Sequence, residues 1–174
     1  MKLDDSDFDL LGLPPQQALD RTVLDTRWRQ LQAEFHPDRF ASVGAAAQRL
    51  AMQWAVRVNE AHQRLKDPVR RAAYLCSLRG VPVDAERNTA MPPAFLMQQM
   101  AWREALHDAS DLAAVEQLAQ DVAGTERQLL SGLTTCLDTQ PDTAEAAAQV
   151  RALMFVQRFR QDIERRLDVL DTTR

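Results

Sequence analysis

The chain has 174 residues, of which 45% are hydrophobic and 26% charged, the proportions of a soluble globular protein. A formal net charge of −4 argues against nucleic-acid binding by the whole chain, although a local basic patch is compatible with it. No apolar run reaches the roughly 20 residues that span a bilayer, and the acidic N-terminus lacks the basic segment of a secretion signal. We therefore expect no membrane association and a cytoplasmic location.

The first predicted helix is short and carries the letters SDFDLLGL, with Ser6 or Asp7 as its cap. A longer helix then begins after Asp20, which is well placed as its N-cap, and should end at His36 because Pro37 disfavours helical backbone in the residue before it. Its apolar positions recur at the helical period and form one stripe. They are Leu24, Trp28, Leu31 and Phe35.

A second long helix is predicted from about residue 42 to residue 66, with a stripe of matched length. That stripe consists of Leu50, Trp54, Val58, Ala61 and Leu65. Two such stripes joined by a short turn indicate an antiparallel helical hairpin whose corner is the sequence HPDRF. One more short helix, VRRAAYLCSL, follows Asp67-Pro68.

Glycine, proline and small polar residues cluster between residues 79 and 92, and this composition indicates a linker. Three further helix patterns follow, at about residues 93–107, 111–137 and 142–170. Helices of this size form a small bundle. The predicted fold is therefore all-α, with an N-terminal helical-hairpin domain (residues 1–78), a linker (79–92) and a C-terminal three-helix bundle (93–174).

The corner tripeptide His36-Pro37-Asp38 permits three interpretations. It can be a simple turn, in which His36 complements the carbonyl end of the helix and Asp38 caps the next element. It can be catalytic, with Asp38 orienting His36 as a base, but side chains two positions apart on a corner rarely converge and no nucleophile stands nearby in sequence. It can be a recognition site, because Pro37 fixes the backbone and arginines on the preceding helix add a positive rim.

The order and spacing of these motifs resemble a J-domain. The signatures are the opening F-x-L-L-G-L, the corner tripeptide, and the later run VNEAHQRLKDPVRRAAY. The whole chain resembles the HscB family, the J-proteins of bacterial iron–sulfur cluster assembly, including AAYLCSLRG and AFLMQQM-x-x-RE-x-L after the linker. The resemblance implies that the corner binds the ATPase domain of an HscA-type heat-shock chaperone. The implied chaperone-binding residues are His36, Pro37, Asp38, Arg27, Arg29 and Arg39.

The first bundle helix carries more apolar side chains than one core face can enclose. Phe95, Trp102 and Leu106 share one face, which suffices to pack a bundle. Leu96, Met97 and Met100 fall on another face beside charged residues, and this grouping indicates either a wide core stripe or a partner-docking patch. By resemblance this second face receives the scaffold protein IscU. The implied scaffold-binding residues are Leu96, Met97, Met100, Arg103, Glu104 and Phe155.

One position departs from the family pattern, since Ala101 stands where an acidic residue is frequent. The resemblance implies a co-chaperone that stimulates HscA and delivers IscU to it, without enzymatic activity, cofactor or bound metal of its own. Cys76 and Cys136 lie far apart without a C-x-x-C pair, and we interpret both as buried small hydrophobes. The alternatives are a J-protein with another client, and a helical adaptor in which the corner is only a turn.

Overall fold

The computed structural model describes residues 2–40, 42–85 and 90–172, and within these ranges all regular structure is helical. The predicted all-α fold is confirmed. The α-helices are α1 (Asp7–Leu11), α2 (Arg21–Glu34), α3 (Ala45–Lys66), α4 (Pro68–Leu78), α5 (Pro93–Asp108), α6 (Leu112–Thr134) and α7 (Thr143–Thr172). A 3-10 helix (Pro37–Phe40) lies between α2 and α3, and a π-helix (Thr135–Thr139) follows α6.

The chain divides into two compact units, Met1–Leu75 and Cys76–Arg174. This division falls within α4, three residues before the predicted end of the first domain at residue 78. Of the predicted linker, residues 86–89 lie outside the described residues. Residues 79–85 of the predicted linker belong to the second unit. Within that unit Val83 is buried, and its carbonyl accepts a hydrogen bond from Arg151 at 3.0 Å.

A buried carboxylate anchors α1 to α3 in the first unit. Asp7 has no solvent exposure, and its two oxygens lie 2.7 Å from an Arg57 nitrogen and 2.8 Å from an Arg64 nitrogen. The Asp7 amide also donates to the hydroxyl of Tyr74 at 3.0 Å. A buried charge is tolerated only when it is paired in this way. Ser6, not Asp7, is the N-cap of α1, and its hydroxyl accepts from the Asp9 amide.

Helices α2 and α3 form the predicted antiparallel hairpin. Asp25 contacts His62, Trp28 contacts Asn59, and Phe35 stacks on Trp54 with ring centroids 5.1 Å apart. In these contacts a higher residue number on the α2 side meets a lower number on α3, so the two helices run antiparallel. Asp20 is the N-cap of α2, as the sequence indicates, since its side chain accepts from the amides of residues 22 and 23.

Two details of the hairpin differ from the sequence prediction. The helix α3 begins at Ala45 instead of about residue 42, because Gly44 has a φ of 121° that side-chain-bearing residues rarely adopt. Leu50 was predicted in the buried stripe, but it is 49% exposed and Ala51 takes the buried position. Each residue advances a helix by about 100°, so a stripe centred on Ala51 and Val58 turns Leu50 towards its edge.

The second unit contains a three-helix bundle formed by α5, α6 and α7. Phe95 contacts Phe155 and Trp102 contacts Phe159, so α5 and α7 run in the same direction. The Glu126–Arg160 ion pair of 2.8 Å belongs to an antiparallel α6–α7 pairing, since Gly132 of α6 lies beside Gln149 of α7. The buried core residues are Phe95, Trp102, Ala109, Val115, Leu118, Val122, Ala152, Val156, Phe159 and Ile163.

Candidate functional site

The corner tripeptide lies at the start of the 3-10 helix between α2 and α3, with His36 directly before that helix. The helix α2 ends at Glu34, and Pro37 opens the 3-10 turn, so the proline acts as the predicted stop signal. Arg39 donates from Nη1 to the carbonyl of Ala33 at 3.0 Å. This bond satisfies a carbonyl at the end of α2, where no helical partner remains, and it ties the turn to the helix. Arg39 therefore helps to position the corner from within it.

The His36 and Asp38 side chains converge, contrary to the sequence expectation. The His36 Nδ1 and Asp38 Oδ2 atoms are 3.6 Å apart, with the side chains 58% and 88% exposed. The Asp38 amide also points at Nδ1 at 3.4 Å, which in a neutral ring leaves the proton on Nε2. His36 directly precedes the 3-10 helix, and its ring folds back towards the Asp38 amide, which brings the two side chains together. The corner thus presents an imidazole donor and a carboxylate acceptor to solvent.

Arg27 and Arg29 are the two arginines predicted to form a positive rim on the helix before the corner, and we call them the basic flank. Both are exposed on α2. The Arg29 Nε donates to the backbone carbonyl of Asp25 at 3.2 Å, whereas Arg27 borders a shallow depression with Gln30 and Glu34. Both side chains remain accessible to a partner. The structure therefore places two cations on the helix that leads into the corner, as the sequence indicated.

A polar contact that the apolar periodicity did not reveal holds this helix against α3. His62 is 4% exposed, and its Nε2 lies 2.7 Å from Asp25 Oδ1. The His62 ring stacks on Trp28 with centroids 4.6 Å apart, and the Trp28 indole donates to Asn59 at 2.8 Å. Arg21 also pairs with Asp25 at 2.9 Å. This network fixes the orientation of α2, and hence of its exposed arginines, on α3.

We expect the network to lose strength in acid. The hydrogen bonds from His62 and then from Arg21 hold the pKa of Asp25 below its usual value of 3.8. A depressed carboxyl pKa contributes stability that is present above the unfolded pKa and is lost as the pH falls through the folded pKa. The difference in unfolding free energy between wild type and Asp25→Asn should therefore shrink below pH 4 in urea titrations.

The control for that experiment is Asp4→Asn, which removes one exposed carboxylate of the same unit. Its difference from wild type should stay near zero across the same pH range. A wild type that keeps its full advantage over Asp25→Asn at pH 2.5 would contradict the assignment.

The second candidate surface lies on α5, where the predicted partition between core and surface is confirmed. Phe95 and Trp102 are each 5% exposed, whereas Leu96, Met97 and Met100 are 39%, 76% and 69% exposed. Exposed methionines adapt their shape to a partner, and three neighbouring apolar side chains exceed the scattered exposure of ordinary surfaces. We call Leu96, Met97 and Met100 the α5 patch.

Phe155 adjoins this surface but is not free of the core. Its ring is half-buried, stacks on Phe159 at 5.8 Å and meets Phe95 edge-on at 5.8 Å. Phe159 in turn stacks on Trp102 at 5.8 Å, so one aromatic series runs from the core to the surface. The Arg103 guanidinium lies 5.2 Å from the centroid of the Phe155 ring and covers its outer side. The resemblance implies Phe155 as a scaffold-binding residue, but no feature of the sequence indicates the cation beside it.

The two cysteines differ in their surroundings. Cys76 is fully buried, as predicted, whereas Cys136 is only half-buried in the π-helix and its sulfur lies 3.8 Å from the Gln149 amide nitrogen. Burial raises the pKa of both thiols, and the charges of Glu145 and Asp142 add to the effect at Cys136. Both side chains are therefore thiols rather than reactive thiolates near neutral pH.

Within the ranges that the structure describes, no three His, Cys, Asp or Glu side chains are grouped as metal ligands. None of the described helices combines the length and the hydropathy that crossing a bilayer requires.

Known proteins match the chain over nearly its full length. Residues 91–164 match the family model described as the HSCB C-terminal oligomerisation domain. The co-chaperone protein HscB homolog of Burkholderia cenocepacia is 49% identical over 175 aligned residues, covering 99% of each chain. The homolog of Paraburkholderia xenovorans is 48% identical over 172 residues, covering 97% of this chain and 98% of that one.

Solved structures agree with these relatives. The chaperone HscB from Vibrio cholerae superimposes with a TM-score of 0.79 at 38% identity, covering 95% of this chain and 99% of that chain. Human co-chaperone HscB shares the fold, with a TM-score of 0.86 at 22% identity over 94% of this chain and 83% of that one. Together with the exposed His-Pro-Asp corner, the full-length identity shows that the chain belongs to the HscB family of J-protein co-chaperones.

Proposed function

We propose that the chain stimulates the ATPase of an HscA-type heat-shock chaperone through its corner and delivers an IscU-type iron–sulfur scaffold through the α5 patch. The observation that carries this proposal is the exposed His36-Pro37-Asp38 turn at the end of a helical hairpin. Its imidazole donor and carboxylate acceptor are accessible together, and Arg39 holds the turn in place. A preformed turn of this kind loses little entropy on binding.

The second unit supports the delivery step in this proposal. The α5 patch offers apolar anchors, and Glu104 is exposed next to them. A few apolar anchors surrounded by polar groups carry most of the energy of a protein interface. The role that we propose has no reaction chemistry, needs no cofactor and involves neither nucleic acid nor membrane. We propose that it acts in the cytoplasm.

One assay separates this proposal from its alternatives. The ATPase rate of purified HscA-type chaperone is measured alone, with this chain, and with this chain plus the IscU-type scaffold. We expect a higher rate with the chain and a further increase with the scaffold. No stimulation by the chain would favour a helical adaptor, and stimulation that the scaffold does not increase would favour another client.

We also expect the chaperone contact to depend on salt through the basic flank. Arg27 and Arg29 should accelerate association with an acidic surface, since exposed charges steer encounter and are screened beyond about 8 Å at physiological ionic strength. Arg27→Gln/Arg29→Gln should therefore slow association several-fold at low salt and weaken its salt dependence, as measured by stopped-flow or surface plasmon resonance.

The matched control is Arg49→Gln/Arg70→Gln, which removes the same charge from exposed positions on α3 and α4. It should change the association rate much less than the α2 variant does. Equal slowing by both pairs would show a general charge effect and refute a specific role for the α2 arginines.

A further inference from the structure

The corner is joined to α3 through Phe35, the residue directly before His36. Phe35 is the C-cap of α2, and its amide donates to the Leu31 carbonyl at 2.9 Å, the bond that closes the helix. Its ring stacks on Trp54 of α3, with the ring centroids 5.1 Å apart and the ring planes 17° from parallel. The chain therefore leaves α2 at a residue whose side chain is held by the opposite helix.

The hydrogen bonds of the corner fix its shape rather than its place on the hairpin. The Arg39 amide donates to the His36 carbonyl at 3.0 Å, and the Arg39 side chain donates to the Ala33 carbonyl. These bonds join residues at most six positions apart, so they close the turn on itself and on the end of α2. No residue of the 3-10 helix is buried. The stack of Phe35 on Trp54, by contrast, relates the start of the turn to α3.

The covalent structure carries the position of Phe35 to the two groups of the corner. One planar peptide bond separates Phe35 from His36, and the ring of Pro37 locks its own φ between His36 and Asp38. A rotation or displacement of Phe35 therefore moves the imidazole and the carboxylate together. Phenylalanine and tryptophan have only two side-chain torsions each, so a stacked pair holds its orientation at little entropic cost.

Trp54 lies at the edge of the hairpin core and is half-buried. The buried residues of α3 are Ala51, Val58, Ala61, His62 and Leu65. A half-buried ring contributes less to stability than a fully buried one, because part of its surface stays in water in the folded state. Replacing Trp54 should therefore disturb the corner, which its stacking partner Phe35 leads into, more than it disturbs the fold.

We propose that Trp54 is a positioning residue for chaperone activation, because its stack with Phe35 sets the direction in which the corner faces the chaperone. This inference rests on the proposed function, since it assigns what holds the activating corner in its working orientation. When the stack is lost, the corner samples several orientations, of which only a fraction can bind. The apparent affinity falls by that fraction, whereas the complex, once formed, has the same geometry and the same maximal rate.

The test compares wild type with Trp54→Leu, which keeps an apolar side chain without a ring, and with Trp54→Tyr, which keeps a ring that can stack. The ATPase rate of the HscA-type chaperone is measured against increasing concentrations of each variant. We expect the half-maximal concentration to rise about tenfold in Trp54→Leu and by less than about threefold in Trp54→Tyr. The maximal rate should stay at the wild-type value in both variants.

The matched control is Tyr74→Leu, which removes another half-buried ring of the same unit. Tyr74 stacks on Phe8 and lies under the Arg64 guanidinium, near the end of α3 that is remote from the corner. The control should lower the melting temperature, because it loses this stack and a hydrogen bond from the Asp7 amide. Its half-maximal concentration should nevertheless match wild type, which separates lost stability from lost positioning.

Nuclear magnetic resonance tests the positioning without the chaperone. The order parameter of the Arg39 amide should fall from about 0.85 towards about 0.6 in Trp54→Leu and keep its wild-type value in Tyr74→Leu. Circular-dichroism melting verifies that each variant is folded. An unchanged half-maximal concentration in folded Trp54→Leu would overturn the inference, whereas a wild type that does not stimulate the chaperone would overturn the proposed function itself.

A double-variant cycle distinguishes positioning from direct contact with the chaperone. Phe35→Leu should raise the half-maximal concentration as Trp54→Leu does. The double variant should lie within about twofold of either single variant, because both changes remove the same stack. Effects that multiply in the double variant would show that Trp54 contacts the chaperone itself and would contradict its role as a positioning residue.

Discussion

Replacing His36 with glutamine is expected to abolish stimulation of the chaperone ATPase while leaving the fold intact. The side chain is 58% exposed, and the turn that carries it is held mainly by the 3.0 Å hydrogen bond from Arg39 to Ala33, which is shorter than the 3.4 Å contact of the imidazole with the Asp38 amide. Surface substitutions of this kind change the unfolding free energy by no more than about 0.5 kcal/mol. Glutamine can replace one hydrogen bond of the ring but not its shape or its rigid direction.

The measurement is the steady-state ATPase rate of an HscA-type chaperone against increasing concentrations of the variant, next to a thermal melt. His107→Gln is the matched control, because His107 is exposed on the last turn of α5, in the other unit. We expect it to stimulate as wild type does. A folded His36→Gln variant with undiminished stimulation would exclude the corner as the site of activation.

Asp38→Asn tests the second group of the corner in the same assay. The change removes the charge but keeps the size of a side chain that is 88% exposed, so stability should again be unaffected. Loss of stimulation in both variants would indicate that imidazole and carboxylate act together. Their 3.6 Å separation makes such joint recognition by one partner feasible.

Much of the fold could be predicted from the sequence, because helix period, caps and proline positions are local signals. Asp20 and Pro37 act where the sequence places them, and the period correctly assigns Trp102 to the core. The wrong assignment of Leu50 has a simple cause. An apolar stripe covers about 100° of the helix circumference, so residues at either edge of it fit the same period. Only the helix that packs against the stripe decides which edge is buried.

The polar contacts could not be predicted, because they join residues far apart in the chain. Asp7 is a plausible helix cap in sequence, yet it is a buried ion-pair partner of Arg57 and Arg64, 50 and 57 positions later. His62 falls on the helical face that packs α2, but nothing local indicates that Asp25 would meet it. Long-range pairing of this kind becomes visible only when the hairpin is assembled.

The exposure of the α5 patch was predictable from the sequence, but its surroundings were not. The period separates Leu96, Met97 and Met100 from the core, and the structure agrees with that separation. The helical period could not show that Phe95 and Phe159 half-bury Phe155, or that Arg103 lies over the Phe155 ring. Experiments on this surface should therefore treat Phe155 apart from the α5 patch, since truncating it would also remove core contacts.

The combined variant Leu96→Ala/Met97→Ala/Met100→Ala should remain folded and bind the IscU-type scaffold far more weakly. Buried side chains of this size cost roughly 2–5 kcal/mol each on truncation, and three such losses would unfold a domain of ordinary stability. These three are 39–76% exposed, so most of that cost is absent in the free protein. Apolar anchors at the centre of an interface contribute about 2 kcal/mol or more, which corresponds to about thirtyfold weaker binding.

The decisive measurement is scaffold titration together with thermal melting, and the control is Leu50→Ala/Met52→Ala/Val56→Ala. That control truncates three apolar side chains of similar exposure, 49%, 53% and 57%, on α3 of the other unit. It should bind the scaffold normally, because the proposed docking surface on α5 is unchanged in it. The α5 variant should still raise the basal chaperone ATPase, since its corner is unchanged, and should lose only the increase that depends on the scaffold. Normal scaffold binding by a folded α5 variant would place the docking surface elsewhere on the chain, and unfolding of that variant would return the three residues to the core.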